Sequence, residues 1–423
     1  MFRYISAALF CAAAWSFVSA AMAEPNGRAN TITMEEAVRR ALDASPGLKA
    51  RDELVAGADA NVRQSGAWPN PTIEGQLENF GGSGRFSDID ESELTLGLTQ
   101  RIEHAGKREG RLAVAAAERE GAVLERERKQ LDVRFDARRA FVEVVTAQAA
   151  LDNAASRLKA AKEIEAMAAR RVNAARDPIT VKLRAEIQTA EARTAHAQAE
   201  HDLHNAKRTL AVLWGEPDAE FAADASSLQP PPGTKRDLAA LPSPDVQARE
   251  IAAQRAAAKV ELERANGRSD VSVGLGVRRF ENGGDLAGVL TLSMPLAVFD
   301  TNQGNVYRAA AERRAADLDV EDARRRYLTA LVALEEDVAR SRAEYDAVHD
   351  ELLPRARAAL KAARHGYDAG AFGYQDLAES QRILNELTDR EIEALRKLHL
   401  AHASLDRLTG EADGAPAEQG APR

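Results

Sequence analysis

The chain has 423 residues, 5% of them aromatic and 29% charged, with a formal net charge of −9. So few aromatics in so charged a chain argue against one large globular core and for long helices or coiled coil, while the acidic balance leaves no electrostatic case for nucleic acid. The P-loop, H-E-x-x-H and G-x-S-x-G signatures are all absent, so no catalytic residue, cofactor or resident metal is expected.

At the N-terminus, Arg3 precedes an apolar run from Ile5 to Val18, and Ala21-Met22-Ala23 supplies an A-x-A cleavage signal. Residues 1–23 therefore read as a secretory signal peptide, because the run falls short of the roughly 20 residues that a membrane span requires. Cys11, the one cysteine, leaves with it, so the mature chain holds neither a disulfide nor a thiolate metal site. Charges interrupt every later apolar run, which leaves strands as the only means of entering a membrane.

A first unit, 24–215, reads as helix, β-hairpin (about 72–100) and long helical hairpin. In Thr72–Glu78, Ile73, Gly75 and Leu77 share one face and Thr72, Glu74, Gln76 and Glu78 the other; Glu93–Gln100 alternates in the same way. Trp68 and Phe80 sit near the strand ends, as an interfacial aromatic girdle would place them. From Gly106 to about Val172 runs a proline-free helix of roughly 90–100 Å. It ends at Arg171-Val172-Asn173-Ala174-Ala175-Arg176-Asp177-Pro178, where Pro178 starts a returning helix that stops at Gly215.

A proline-rich connector, 216–242, contains Pro230-Pro231-Pro232 and Pro242. The second unit, 243–410, then repeats the first: Leu94-Thr95-Leu96 recurs as Leu290-Thr291-Leu292, and Leu213-Trp214-Gly215 as Leu408-Thr409-Gly410. Its hairpin (about 271–298) pairs Val271–Arg278 with Val289–Leu296, flanked by Phe280 and Phe299. Gly304 is expected to open the second long helix, Asn305 to about Tyr367, which Pro354 should kink. Tyr327, Leu331, Leu334, Val338, Ser341, Tyr345, Val348 and Leu352 recur in steps of four and three, a coiled-coil seam broken by one serine. This helix turns at Gly366-Tyr367-Asp368-Ala369-Gly370-Ala371-Phe372-Gly373, and the final helix ends at Gly410 before a flexible tail, 411–423.

On periodicity alone the hairpins fit either a soluble protein or a membrane. In lipid a sheet must close, and four strands fall short of the practical minimum of about eight, so a membrane reading forces several chains to share one barrel.

The motifs narrow this choice. Asn70-Pro71 leads to Glu78-Asn79; Gln100-x-Ile102-Glu103 leads to Gly106-Lys107-Arg108; Met294-Pro295-Leu296 leads to Phe299-Asp300-x-Asn302-Gln303-Gly304; Gly366-Tyr367-x-x-Gly370 follows. In this order and spacing the chain resembles the TolC-like outer-membrane efflux proteins over nearly its whole mature length, and most resembles the CzcC-type, heavy-metal branch. The resemblance implies a mainly α protein with a small β part. It further implies a homotrimer whose twelve strands close a barrel in outer-membrane lipid and whose helices form a tube across the periplasm. Partners would be a periplasmic adaptor and an inner-membrane pump of the resistance-nodulation-division class.

By the same resemblance the tips, Arg171–Thr180 and Tyr367–Asp376, are where the tube narrows and the adaptor docks. Arg171, Val172, Arg176, Asp177, Tyr367, Asp368, Gly370 and Asp376 are the candidate gate residues. Asp177, Asp368 and Asp376 would make acidic rings in a trimer, unless they serve as helix caps or solvated side chains. Ala175-Arg176 stands where the family commonly has a glycine. His201 with His204, and His399 with His402, lie one turn apart with only scattered carboxylates as further ligands, so no metal site is expected there. The favoured reading is a metal-efflux channel. The same channel serving drugs or secreted protein, and a soluble periplasmic coiled-coil scaffold, are the alternatives.

Overall fold

The computed structural model describes residues 31–410 apart from 219, 225, 227, 228 and 232–242. The expected signal peptide, the greater part of the connector and the C-terminal tail lie outside these residues. Within them the same succession of elements occurs twice. First come β1 (Thr31–Ile32), α1 (Met34–Ala44), α2 (Pro46–Ser65), β2 (Thr72–Glu78), β3 (Glu93–Ile102), α3 (Lys107–Asn173) and α4 (Ile179–Val212). After β4 (Ala222–Ala223) come α5 (Pro244–Asn266), β5 (Val271–Phe280), β6 (Leu286–Ser293), α6 (Gln303–Asp346), α7 (Leu353–Ala369) and α8 (Tyr374–Thr409).

The sequence suggests one helix before the first hairpin; the structure has two. Thr33 caps α1 by accepting the Glu36 N–H at 3.2 Å, and Ser45 then caps α2 by accepting the Leu48 N–H at 3.2 Å. Pro46 stands in the first turn, where its missing N–H costs nothing, so Ser-Pro ends one helix and starts the next.

All four long strands form one antiparallel sheet in the order β2-β3-β5-β6. The register keeps the alternation intact: Ile73 lies opposite Leu98, Leu98 opposite Leu275 and Leu275 opposite Leu290. These side chains form an apolar face that no other element covers, with Ile73 83% and Leu290 72% exposed. On the opposite face Arg278 draws three strands together. It donates to Thr95 Oγ1 at 2.9 Å and Glu93 Oε2 at 2.7 Å, and lies 3.1 Å from Glu78 Oε2. That face is also tightly spaced: a Cβ at Gly276 would sit 2.9 Å from the Leu96 carbonyl oxygen, and one at Gly274 only 2.7 Å from Thr99 Oγ1. Glycine inside a strand marks such a close approach of a neighbouring strand. The sequence carries the last strand to Leu296, but β6 stops at Ser293, since Pro295 has no N–H to donate.

Left-handed residues join the sheet to the long helices. Gly106 (φ 80) precedes α3 and Asn302 (φ 61) precedes α6 at the matching point. The expected role of Gly304 thus falls to Asn302, one of the few residues besides glycine that enters this region readily. Asn302 Nδ2 donates to the Glu263 carbonyl at 2.8 Å, tying the junction to α5. At the first junction Lys107 Nζ meets Asp270 Oδ1 at 2.7 Å, and Arg108 Nε donates to the Gly66 carbonyl at 2.6 Å while its guanidinium covers Trp68. The Gly-Lys-Arg motif is therefore a structural clasp between sheet and helices.

At 1.5 Å per residue α3 extends about 100 Å. Near its middle it is buried nearly all round, from Ala137 to Thr146, because α1, β4, α4 and α8 surround it there. Ile32, Phe141, Val144, Val145, Leu210 and Phe221 make the core of this girdle, beneath the short parallel pair β1–β4. The predicted seam is the buried side of α6, with Tyr327, Leu331 and Ser341 fully sheltered and Val348 continuing it. Instead of a simple kink at Pro354, a π turn, Ala347–Leu352, lies between α6 and α7.

Candidate functional site

The two helical hairpins meet at their tips. Each long helix closes with paired backbone bonds: Arg176 N–H to the Arg171 carbonyl and Ala175 N–H to that of Val172, then Ala371 N–H to the Gly366 carbonyl and Gly370 N–H to that of Tyr367. This Schellman arrangement needs one left-handed residue. Gly370 supplies it at φ 80 in the second tip, and Ala175 supplies it at φ 56 in the first, so the tip lacking the usual glycine keeps its turn by straining an alanine.

Arg171, on the last turn of α3, reaches across. Its Nε donates to Asp177 Oδ2 at 2.8 Å, Nη2 to Asp177 Oδ1 at 3.2 Å, and Nη1 to the Tyr367 carbonyl at 2.6 Å. The guanidinium also stands 4.6 Å from the Tyr367 ring centroid. The phenol of Tyr367 completes the loop by donating to Asp177 Oδ2 at 2.9 Å. One arginine, one aspartate and one tyrosine therefore bolt the first tip to the second.

Beneath them lies an apolar floor of Ile164, Met167, Ala168, Ala363 and Leu377, with the Tyr374 ring edge-on to Tyr367 at 6.4 Å. Tyr367 is wholly buried. Burial, and then the hydrogen bond to Asp177, push its phenol well above the ordinary tyrosine value. The Arg171 hydrogen bond, helped by that of Tyr367, holds the Asp177 carboxyl below its usual range, and Asp177 in turn raises Arg171. All three groups keep one protonation state across physiological pH.

Of the residues named from sequence, Arg171, Asp177 and Tyr367 come together, and Gly370 lies beside them, where a Cβ would be 3.7 Å from Arg171 Nη1. Val172 is half-buried on the same turn, and Arg176 and Asp368 are exposed. Asp376 stands apart and caps α8 by accepting the Gly373 N–H at 3.0 Å. Sequence reasoning missed Tyr374 and Phe372. A Cβ at Gly366 would lie 2.1 Å from the Phe372 ring, so Phe372 folds onto that glycine. No helical period crosses a turn, and only the glycine and aromatic spacing hints at the contact. Among the described residues no helix is long and apolar enough to cross a membrane, and no group of three or more His, Cys, Asp or Glu is arranged to hold a metal ion.

Comparison with known proteins agrees with this architecture. Residues 37–216 and 236–411 each match the family model described as outer membrane efflux protein. The cobalt-zinc-cadmium resistance protein CzcC of Cupriavidus metallidurans is 28% identical, over 91% of this chain and 92% of its own. The nickel and cobalt resistance protein CnrC of the same organism is 32% identical over 66% of each. Among solved structures, CusC superposes with a TM-score of 0.75 at 16% identity, covering 90% of this chain and 92% of its own. The outer membrane protein VceC of Vibrio cholerae gives 0.73 at 19% identity, covering 89% and 96%. The chain belongs to the outer membrane efflux protein family, whose members are transport channels and not enzymes.

Proposed function

We propose that this protein is the outer-membrane channel of a tripartite efflux system and that its cargo is heavy-metal cations. The single observation that carries the channel reading is the four-stranded sheet. Its two edges, β2 and β6, pair with nothing among the described residues, and its apolar face is bare. In lipid every edge N–H and C=O must be satisfied, so such a sheet is a fragment of a barrel. Three copies supply twelve strands, with Arg278, Glu78 and Glu93 turned to the water-filled side.

The long helices continue the barrel as a periplasmic tube, and the tip cluster gates it. Closure is held within each chain by Arg171, Asp177 and Tyr367; opening requires the second hairpin to leave the first. Exposed Arg176, Asp368 and Phe372 at the same end give a periplasmic adaptor its contact surface, and a pump of the resistance-nodulation-division class delivers the substrate. The metal assignment draws on the relatives, which are named for resistance to cobalt, zinc, cadmium and nickel. Fractionation of expressing cells followed by planar-bilayer recording of the purified protein tests the channel. Outer-membrane trimers that conduct ions support it; a soluble, non-conducting monomer overturns it in favour of a periplasmic scaffold.

A further inference from the structure

The two long helices differ in one respect. α3 is α-helical for 67 residues, whereas its counterpart widens into the π turn at Ala347–Leu352. Pro354 explains the position: its ring crowds the carbonyl of Asp350, four residues earlier, and it has no N–H to offer. A wider turn moves that carbonyl aside, and π turns of this kind recur at functional positions.

The turn carries His349. Its ring stacks on Tyr345 with centroids 5.2 Å apart and 14° between planes, and Nδ1 lies 2.5 Å from Glu391 Oε1 on α8. The matching residue on α3 is Asn153, whose amide donates to Asp389 Oδ1 at 2.9 Å, also on α8. At this level both long helices grip α8, one through an amide that cannot titrate and the other through an imidazole that can.

We propose that His349 is a proton-dependent positioning residue, which on protonation stiffens the π hinge through Glu391 and biases the α7–α8 tip toward its closed, bolted arrangement. The second half rests on the tips being the gate. Imidazoles gain charge between about pH 5 and 8, and protonation turns a neutral imidazole's contact with the Glu391 carboxylate into an ion pair, which secures the N–H on Nδ1 and adds Coulomb attraction. The surrounding charges favour this. Glu391, Asp350, Asp346 and Arg342 all act on Tyr345, the ring on which His349 stacks; Glu344 of α6 reaches Arg390 of α8, and Glu351 in the turn reaches Arg355 of α7. The arginines are already engaged: Arg342 by Asp346, Arg390 by Glu344 and Arg355 by Glu351. It is the imidazole that reaches Glu391. From the hinge to the tip α7 runs about 25 Å, so a rotation of ~10° at the turn moves the tip by ~4 Å.

Spin labels at Ala339→Cys and Ala362→Cys, exposed sites on α6 and α7, span the hinge in a full chain lacking Cys11. Pulsed electron resonance should give a narrower distance distribution at about pH 5.5 than at about pH 8. His349→Gln, which bonds but cannot be charged, and Glu391→Gln should abolish that change. An unchanged distribution in the wild type, or the same change in His349→Gln, overturns the switch. Bilayer recordings of the same proteins should show acid lowering wild-type opening and leaving His349→Gln unaffected. A hinge that responds while opening does not would overturn its link to the tip, whereas absence of any conductance would overturn the channel reading instead.

Discussion

Replacing Tyr367 with phenylalanine removes one oxygen from the tip and little else. The ring stays in its pocket of Ile164, Met167 and Leu377, so no cavity forms. What is lost is the bond from the phenol to Asp177 Oδ2 at 2.9 Å. A hydrogen bond to an ionised group is worth about 1.5–3 kcal/mol, and the lower end applies because Arg171 Nε still satisfies that carboxylate at 2.8 Å. About 1.4 kcal/mol is a factor of ten, so the closed-to-open ratio of each chain should fall roughly tenfold. Single-channel recording of the purified protein should show a matching rise in open probability, with thermal stability nearly unchanged. Tyr367→Ala would be uninformative, since emptying this pocket costs about 3–5 kcal/mol and disturbs the whole tip. If Tyr367→Phe and Asp177→Asn both leave opening within about twofold of wild type, the tips are not the gate and the reasoning fails.

The same cluster makes a pH prediction. Asp177 has a lowered folded value, so its stabilisation is present above the ordinary carboxylate range and is lost only as pH falls through that lowered value. Tyr367 has a raised value, so its contribution is present below the ordinary tyrosine range and is lost only as pH rises through the raised one. The ratio of opening between Tyr367→Phe and wild type should therefore stay constant from about pH 5 to 9, even where His349 shifts both; a ratio that varies within that window contradicts the assignment. Ala175→Gly should stabilise the first tip by roughly 0.5–1 kcal/mol, the relief of a left-handed alanine less the entropy glycine loses on folding, visible as a higher unfolding midpoint. Lys107→Ala strips the half-buried Asp270 of its nearest partner and should cost about 1.5–2 kcal/mol, measured by denaturant unfolding. Gly276→Val places a side chain against the Leu96 carbonyl and should abolish recovery from the outer membrane while leaving the helical circular dichroism of the isolated chain in place.

Much of this fold was legible because its elements are periodic and long. Alternation at Thr72–Glu78 and Glu93–Gln100 gave the strands and their faces, and the absence of proline after Gly106 gave the longest helix. The spacing from Tyr327 to Leu352 gave the buried side of α6. Short or shared features did not announce themselves. The two-residue strands β1 and β4 have no period to read, and they pair across some 190 residues. Ser45-Pro46 ends a helix only because the serine side chain is free to cap the next one. Pro354 signalled a disturbance, but the widening sits upstream of it, in a turn whose residues are unremarkable helix formers. At the tips, Arg171, Asp177 and Tyr367 were all named as candidates, yet only the fold shows that they bind one another; an arginine and a tyrosine 196 positions apart carry no local mark of contact.

Export of heavy-metal cations by this protein is tested most directly by growth of a strain lacking it. The panel should include cobalt, zinc, cadmium, nickel, copper and silver salts together with organic drugs and detergents, beside a complemented control. Selective sensitivity to one or more of the metals, reversed by the wild-type gene, is the expected result. Sensitivity confined to organic compounds would contradict the metal assignment while leaving the channel in place.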